Sequence, residues 1–312
     1  MGHSLSWVFL GIHIVVLLLI DFLVLHKKNQ IPSSRRAIFE TLFFILNALL
    51  FSAIVYFVYT RGLTNNINHL TPSQSVIKYL TGYIIELALS VDNLFVIALI
   101  FSSYKVPKIH QHKLLFYGIL GAIIFRAILI GVGLVLIHTI HQITIVFGLF
   151  LLYTAFKMLK KDELNEVPSE NKGITKFFRI SKNQNTGNFI LRENGKLVFT
   201  SLFAALITIE FTDLLFALDS IPAIFAVTTD PFLVFSSNIF AIMGLRSLFF
   251  FLGNLLEKFV YLKYSVFAIL IFVSIKLISA NWVSIPEWFS LFYITISLGI
   301  GVYISILKLK EA

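Results

Sequence analysis

The feature that most restricts this chain is a succession of apolar stretches about as long as a bilayer is thick. A membrane-crossing helix needs about 20 consecutive, mostly apolar residues. About nine such stretches occur, at roughly 5–25, 37–60, 77–103, 113–137, 140–158, 198–222, 231–253, 259–279 and 286–307. The expected fold class is therefore all-α: a polytopic membrane helix bundle of about nine transmembrane helices. Composition agrees. Residues are 58% hydrophobic and 13% charged, where a soluble domain averages about 25% charged. The first stretch lacks a basic leader and a small-residue cleavage site, so it reads as a membrane helix and not as a signal peptide.

Basic residues set the expected orientation, because cytoplasmic loops concentrate Lys and Arg. Lys27, Lys28, Arg35 and Arg36 mark the first connection, and Lys105, Lys108 and Lys113 the third. The alternate connections are poor in Lys and Arg, apart from Arg61 and Lys78 at the ends of the second. An inner-membrane protein with its N-terminus outside and its C-terminus in the cytoplasm is expected. The net charge of +9 belongs to these loops, so no nucleic-acid partner is expected. The chain contains no cysteine, which excludes disulfides, thiolate metal sites and cysteine nucleophiles.

Two segments break the apolar pattern in the same way. Residues 86–93 read ELALSVDN and residues 213–220 read DLLFALDS. Glu86 corresponds to Asp213, and Asp92 to Asp219. The following helix of each half holds an arginine, Arg126 or Arg246, and the third carries a lysine, Lys157 or Lys276. The expectation is two inverted three-helix repeats, an architecture that places transporter substrates near the bilayer midplane. Residues 1–75 then form two accessory helices, 76–158 the first repeat, 159–197 a cytoplasmic linker without a core of its own, 198–280 the second repeat, and 281–312 a last helix and tail.

An acid at mid-bilayer costs roughly 2.5–3.5 kcal/mol on insertion scales. Glu86, Asp92, Glu210, Asp213 and Asp219 all fall inside predicted spans. Three roles compete: structural pairing with Arg126 and Arg246, a proton relay, and a cation site. Five acids and two arginines sum to −5 + 2 = −3. With Asn93 and Ser220 the donors are all oxygen, which suits Mg²⁺, Ca²⁺ or Mn²⁺. Protons replacing the metal on a return step are compatible with this set. On a regular helix Glu86 and Asp92 stand about 120° apart, so breaks near both acid motifs are expected, with Pro222 as a helix breaker. Asn238 is a candidate pathway residue. His13 and Asp21 read as interfacial or packing residues, and His110, His112, His138 and His141 as solvated. No GxxxxGK[ST] or GxGD sequence occurs, so enzymatic activity is not expected.

The segments ELALSVDNLFVIALIF and FTDLLFALDSIPAIFAVTTDPFLVFSSNIFAIMGLRSLFF closely resemble the TerC/Alx family of bacterial integral membrane proteins, over roughly residues 76–280. That family is named for tellurium resistance, has its better-supported role in Mn²⁺ export, and is grouped with LysE-type exporters. The resemblance implies that Glu86, Asp92, Glu210, Asp213 and Asp219 are the family's intramembrane acids, with Asn93 beside them. It also implies Mn²⁺ as the transported ion, with no permanently bound cofactor; the donor set alone leaves Ca²⁺ and Mg²⁺ open. Its partners would be the metal ion and the lipid bilayer. The rival expectation is a membrane-protein biogenesis factor that contacts other membrane proteins, with a structural acid–arginine network, because some relatives in photosynthetic membranes are linked to insertion.

Overall fold

The computed structural model describes residues 5–25, 34–140, 142–160, 187–193, 196–252, 261–280, 282, 283 and 285–311. Among them are nine α-helices: α1 Leu5–Ile20, α2 Ser34–Thr60, α3 Pro72–Ser103, α4 Lys108–Thr139, α5 Ile143–Lys160, α6 Ser201–Phe225, α7 Pro231–Leu252, α8 Leu262–Ser279 and α9 Glu287–Glu311. Each coincides with one of the apolar stretches. Six of them are long and apolar enough to cross a membrane, and α5 contains a shorter apolar run, Ile143–Phe156. The chain is a polytopic helical membrane protein. A π-helical turn, Asp21–Leu25, continues α1. The end of the 159–197 segment forms an antiparallel hairpin of β1 Ile190–Glu193 and β2 Lys196–Phe199; residues 161–186 lie outside the described residues.

Local sequence explains where helices start. Thr71 opens α3 with a capping box: the Gln74 amide donates to Thr71 Oγ1 at 3.3 Å, and the Thr71 amide donates to Gln74 Oε1 at 2.9 Å. Pro72 follows at the first helical position, where no amide hydrogen is needed. Thr200 caps α6, and its hydroxyl donates to the Asn188 carbonyl at 2.7 Å, which ties the hairpin to the helix. Asp230 caps α7 by accepting from the Phe232 and Leu233 amides at 3.0 and 3.2 Å.

The helix breaks expected at the acid motifs do not occur. Both α3 and α6 are continuous through them. Pro222 lies within α6, but only in its last turn, so it removes one hydrogen bond near the end. The Ala226 amide donates to the Pro222 carbonyl at 3.2 Å and keeps the turn closed. Compensation for Glu86 and Asp213 comes from the Arg126 guanidinium and needs no unwound backbone.

The helix directions follow from named contacts. Helix α3 is antiparallel to α6: Lys78 Nζ donates to the Val227 carbonyl at 2.8 Å at one end, and the Tyr104 and Thr208 hydroxyls are 3.0 Å apart at the other. Helix α4 is parallel to α6, with Gly118 beside Ile209 and Gly133 beside Phe225. Helix α3 is parallel to α7, with Gly82 against Ser237 and Phe101 against Phe249. Helices α5 and α8 cross antiparallel, and at Gly148 they approach so closely that a Cβ would stand 3.0 Å from the Ser274 carbonyl oxygen. Exchanging α3, α4 and α5 for α6, α7 and α8 converts α3–α7 packing into α4–α6 packing, and α5–α6 into α3–α8; all four contacts are present. Helices α1 and α2 pack around α7, where Phe51 lies 4.4 Å from Phe240, and α9 covers α8 and α3.

Candidate functional site

The middle of α4 delivers Arg126 to a point where α3, α6 and α7 converge. Its side chain is fully buried, as is that of Glu86 on α3. Arg126 Nη1 donates to Glu86 Oε1, to Asn238 Oδ1 at 2.8 Å and to Ser220 Oγ at 3.2 Å. Arg126 Nη2 and Nε reach the two Asp213 carboxylate oxygens at 3.2 and 3.5 Å. This fork holds Asp213 with two parallel donors, a geometry that a lysine ammonium cannot reproduce. Nη1 has two hydrogens and three acceptors around it, so Glu86, Asn238 and Ser220 share them. Asn238 Nδ2 donates to the other Glu86 oxygen at 3.1 Å, and Ser90 Oγ donates to Oε1 at 3.4 Å.

Glu210 lies on the α4–α6 seam. Its carboxylate sits where a side chain on Gly121 would be, so glycine there leaves the room that this carboxylate occupies. Glu210 Oε2 is buried and has no hydrogen-bond partner among the described residues. Asn93 is buried on α3, and Asp219 is half-buried on α6. The side chains of Asp92, Lys157 and His138 lie outside the described residues, as does His141.

The structure therefore gathers Glu86, Arg126, Asp213, Ser220 and Asn238. It does not gather Arg246. That arginine forms an ion pair with Asp21 at the end of α1, and both side chains are buried. Of the two expectations for Asp21, interfacial or packing, the buried one holds, with an ion pair added, and in this state the partner of Arg246 is Asp21 and not an acid of the motifs. The sequence signal for Asp21 is one more acid at the end of an apolar stretch. His112 is also corrected. It is buried and stacked on Phe250 at 5.1 Å, because Phe250 of α7 covers the start of α4. His13 is a packing residue as expected: its Nε2 is 2.8 Å from Asn47 Oδ1, and its ring meets Phe51 and Phe240 edge-on. Lys276 donates to Ser290 Oγ of α9 at 2.8 Å.

Arg126 is thus shared by two acids of the motifs, Glu86 and Asp213. Among the described residues no three His, Asp or Glu side chains are placed to hold a metal ion. The guanidinium stands between the carboxylates of α3 and α6, where it keeps them apart.

Residues 71–311 match the family described as "Integral membrane protein TerC family". The chain is a TerC family protein. Similar TerC relatives include an "Uncharacterized membrane protein" of Rickettsia felis, 38% identical over 307 residues that cover 97% of this chain and 98% of that protein. Another is a "Putative membrane-bound redox modulator Alx" of Photorhabdus laumondii, 38% identical over 310 residues covering 98% and 95%. A protein of the same description from Salmonella typhi is 39% identical over 306 residues, covering 96% and 91%. No solved structure matches this TerC protein. The family stretch begins at the capping box of α3, so it contains the Arg126 cluster and leaves α1 and α2 outside.

Proposed function

We propose that this protein exports divalent metal ions, with Mn²⁺ as cargo, across the bacterial cytoplasmic membrane, and that Arg126 is the internal cation that fills the acid site between cargoes. The observation that carries this reading is one guanidinium shared by Glu86 and Asp213, each from the middle of a different long helix. A permanent structural pair needs one acid per arginine. Here two acids share one guanidinium, and the buried Glu210 Oε2 has no hydrogen-bond partner among the described residues, which favours uptake of a cation or of protons. Entry of Mn²⁺ displaces Arg126 from the carboxylates and brings the oxygens of Glu86, Asp213, Asn238 and Ser220 toward the ion, with Asp92, Asn93, Glu210 and Asp219 flanking it. Return of protons to the acids resets the site. The packing that is unchanged by exchange of the two helix triplets supports an inverted repeat, and the alternation of basic connections supports an N-terminus outside.

The test is Mn²⁺ flux in proteoliposomes, with and without a pH gradient. Wild type is expected to move Mn²⁺, and Glu86→Gln and Asp213→Asn proteins that fold normally to lose the flux. Absence of flux from folded wild type under either gradient sinks this reading.

The second reading is a membrane-protein biogenesis partner. It is favoured by the full set of acceptors around Arg126, which resembles a structural network. Under that reading the same substitutions lower the amount of folded protein and leave no transport to lose. As for the relatives described as redox modulators, an equivalent activity here cannot run through the chain's own thiols, since it has none.

A further inference from the structure

The ion pair of Asp21 and Arg246 is the second buried charge contact of the bundle, and its acid comes from α1, outside the stretch that matches the family. Asp21 is 4% exposed and Arg246 1%. Neither Nη atom of Arg246 makes a hydrogen bond among the described residues, so the Asp21 carboxylate is what neutralises it. Asp21 also begins the π-helical turn. A π-turn is a local distortion of the helical ladder and often marks a functional position.

Arg126 and Arg246 occupy corresponding places on α4 and α7, and the helices around them exchange as described above. Their surroundings are nevertheless unequal. Arg126 is inserted among acids of α3 and α6, whereas Arg246 is held by Asp21 of α1, a helix that has no counterpart in the other triplet. An unpaired charge is costly in this interior. An arginine that moves must therefore leave one carboxylate for another.

We propose that Asp21 is a parking carboxylate. It holds Arg246 away from the acid site in the state seen here, and Arg246 takes over the acids of α3 and α6 when Arg126 leaves them, in the state open to the opposite face of the membrane. The two arginines act alternately, and Asp21 sets which one is engaged. This rests on the transporter reading above and adds α1 to its working parts.

The absence of native cysteine makes site-specific spin labelling direct. One label pair goes at Ile67 and Trp282, on the face where α3 begins and α8 ends. The other goes at Ile109 and Tyr264, on the opposite face. All four side chains are exposed. In Asp21→Asn the population of the minor distance is expected to rise at least tenfold, with opposite directions of change on the two faces. A folded Asp21→Asn protein with the wild-type distributions overturns the proposal. The Asp21→Asn/Arg246→Gln double variant removes both charges and leaves neither orphaned. It is expected to fold, to keep only the major wild-type distances, and to lose Mn²⁺ flux at least tenfold; retained flux overturns the proposal, because a purely structural pair can be neutralised without loss. If wild type itself carries no flux, the transporter reading fails, while the distance shift in Asp21→Asn still decides the parking role.

Discussion

The strongest consequence of a single side chain is expected at Arg126. Removing one partner of a buried ion network leaves the others as uncompensated charges, at a cost of about 3–5 kcal/mol. Arg126→Gln leaves Glu86 and Asp213 without their guanidinium, so its thermal unfolding in detergent should fall well below that of wild type. Protonation of the acids at low pH should recover part of the loss. Arg126→Lys keeps the charge but not the fork to Asp213, and should recover only part as well. Gly121→Ala places a methyl group where the Glu210 carboxylate lies. The expected outcome is a displaced Glu210 and altered Mn²⁺ affinity, read by isothermal titration, with little change in helix content by circular dichroism. A loss of helix instead means that the seam itself cannot reopen. These effects were partly legible in the sequence. Glu86, Asp213 and Arg126 announce themselves as charges within oil. The identity of Arg246's partner was not legible, because pairing by repeat symmetry offers an acid from the motifs, whereas packing of α1 against α7 offers Asp21.

At the level of elements, the apolar stretches locate every α-helix among the described residues, and local polar residues shift some of the starts. Helix α3 begins at Pro72 and α4 at Lys108, each about one turn earlier than hydropathy alone places them. Polar first turns carry no hydropathy signal, yet Thr71, Gln74 and Pro72 spell a helix start. Thr71→Val should cost about 1 kcal/mol, seen as faster amide exchange confined to the first turn of α3. The expected helix breaks failed for a physical reason. Pro222 has only Ala223, Ile224 and Phe225 after it in α6, so the single amide hydrogen it lacks lies in the last turn, beyond Asp213 and Asp219, and the helix through both acids stays intact. Pro222→Ala should therefore leave α6 continuous by circular dichroism, with a stability change of about 1 kcal/mol from the lost packing of the buried ring. The β1–β2 hairpin was missed, although Asn194-Gly195 between two short runs is the standard sequence signal for a two-residue turn. The surrounding 159–197 segment is dominated by charged residues, against which the alternation of two four-residue strands is a weak signal.

For the whole molecule, the membrane class and the TerC family follow from sequence with little ambiguity, while the neighbour relations do not. No hydropathy pattern says that α3 lies along α7 and α4 along α6, because every helix is apolar over most of its surface. That exchange has a consequence for how the chain is made. The first triplet leaves the ribosome with Glu86 and Arg126 but without Asp213, Ser220 and Asn238, and with the face of α3 that α7 will cover still bare. Half a protein is thus not half a bundle. The packing of α3 and α4 is therefore expected to be completed only when α6 and α7 join them. A chain divided after α5 should give two fragments that are each degraded when made alone and that restore one another when made together.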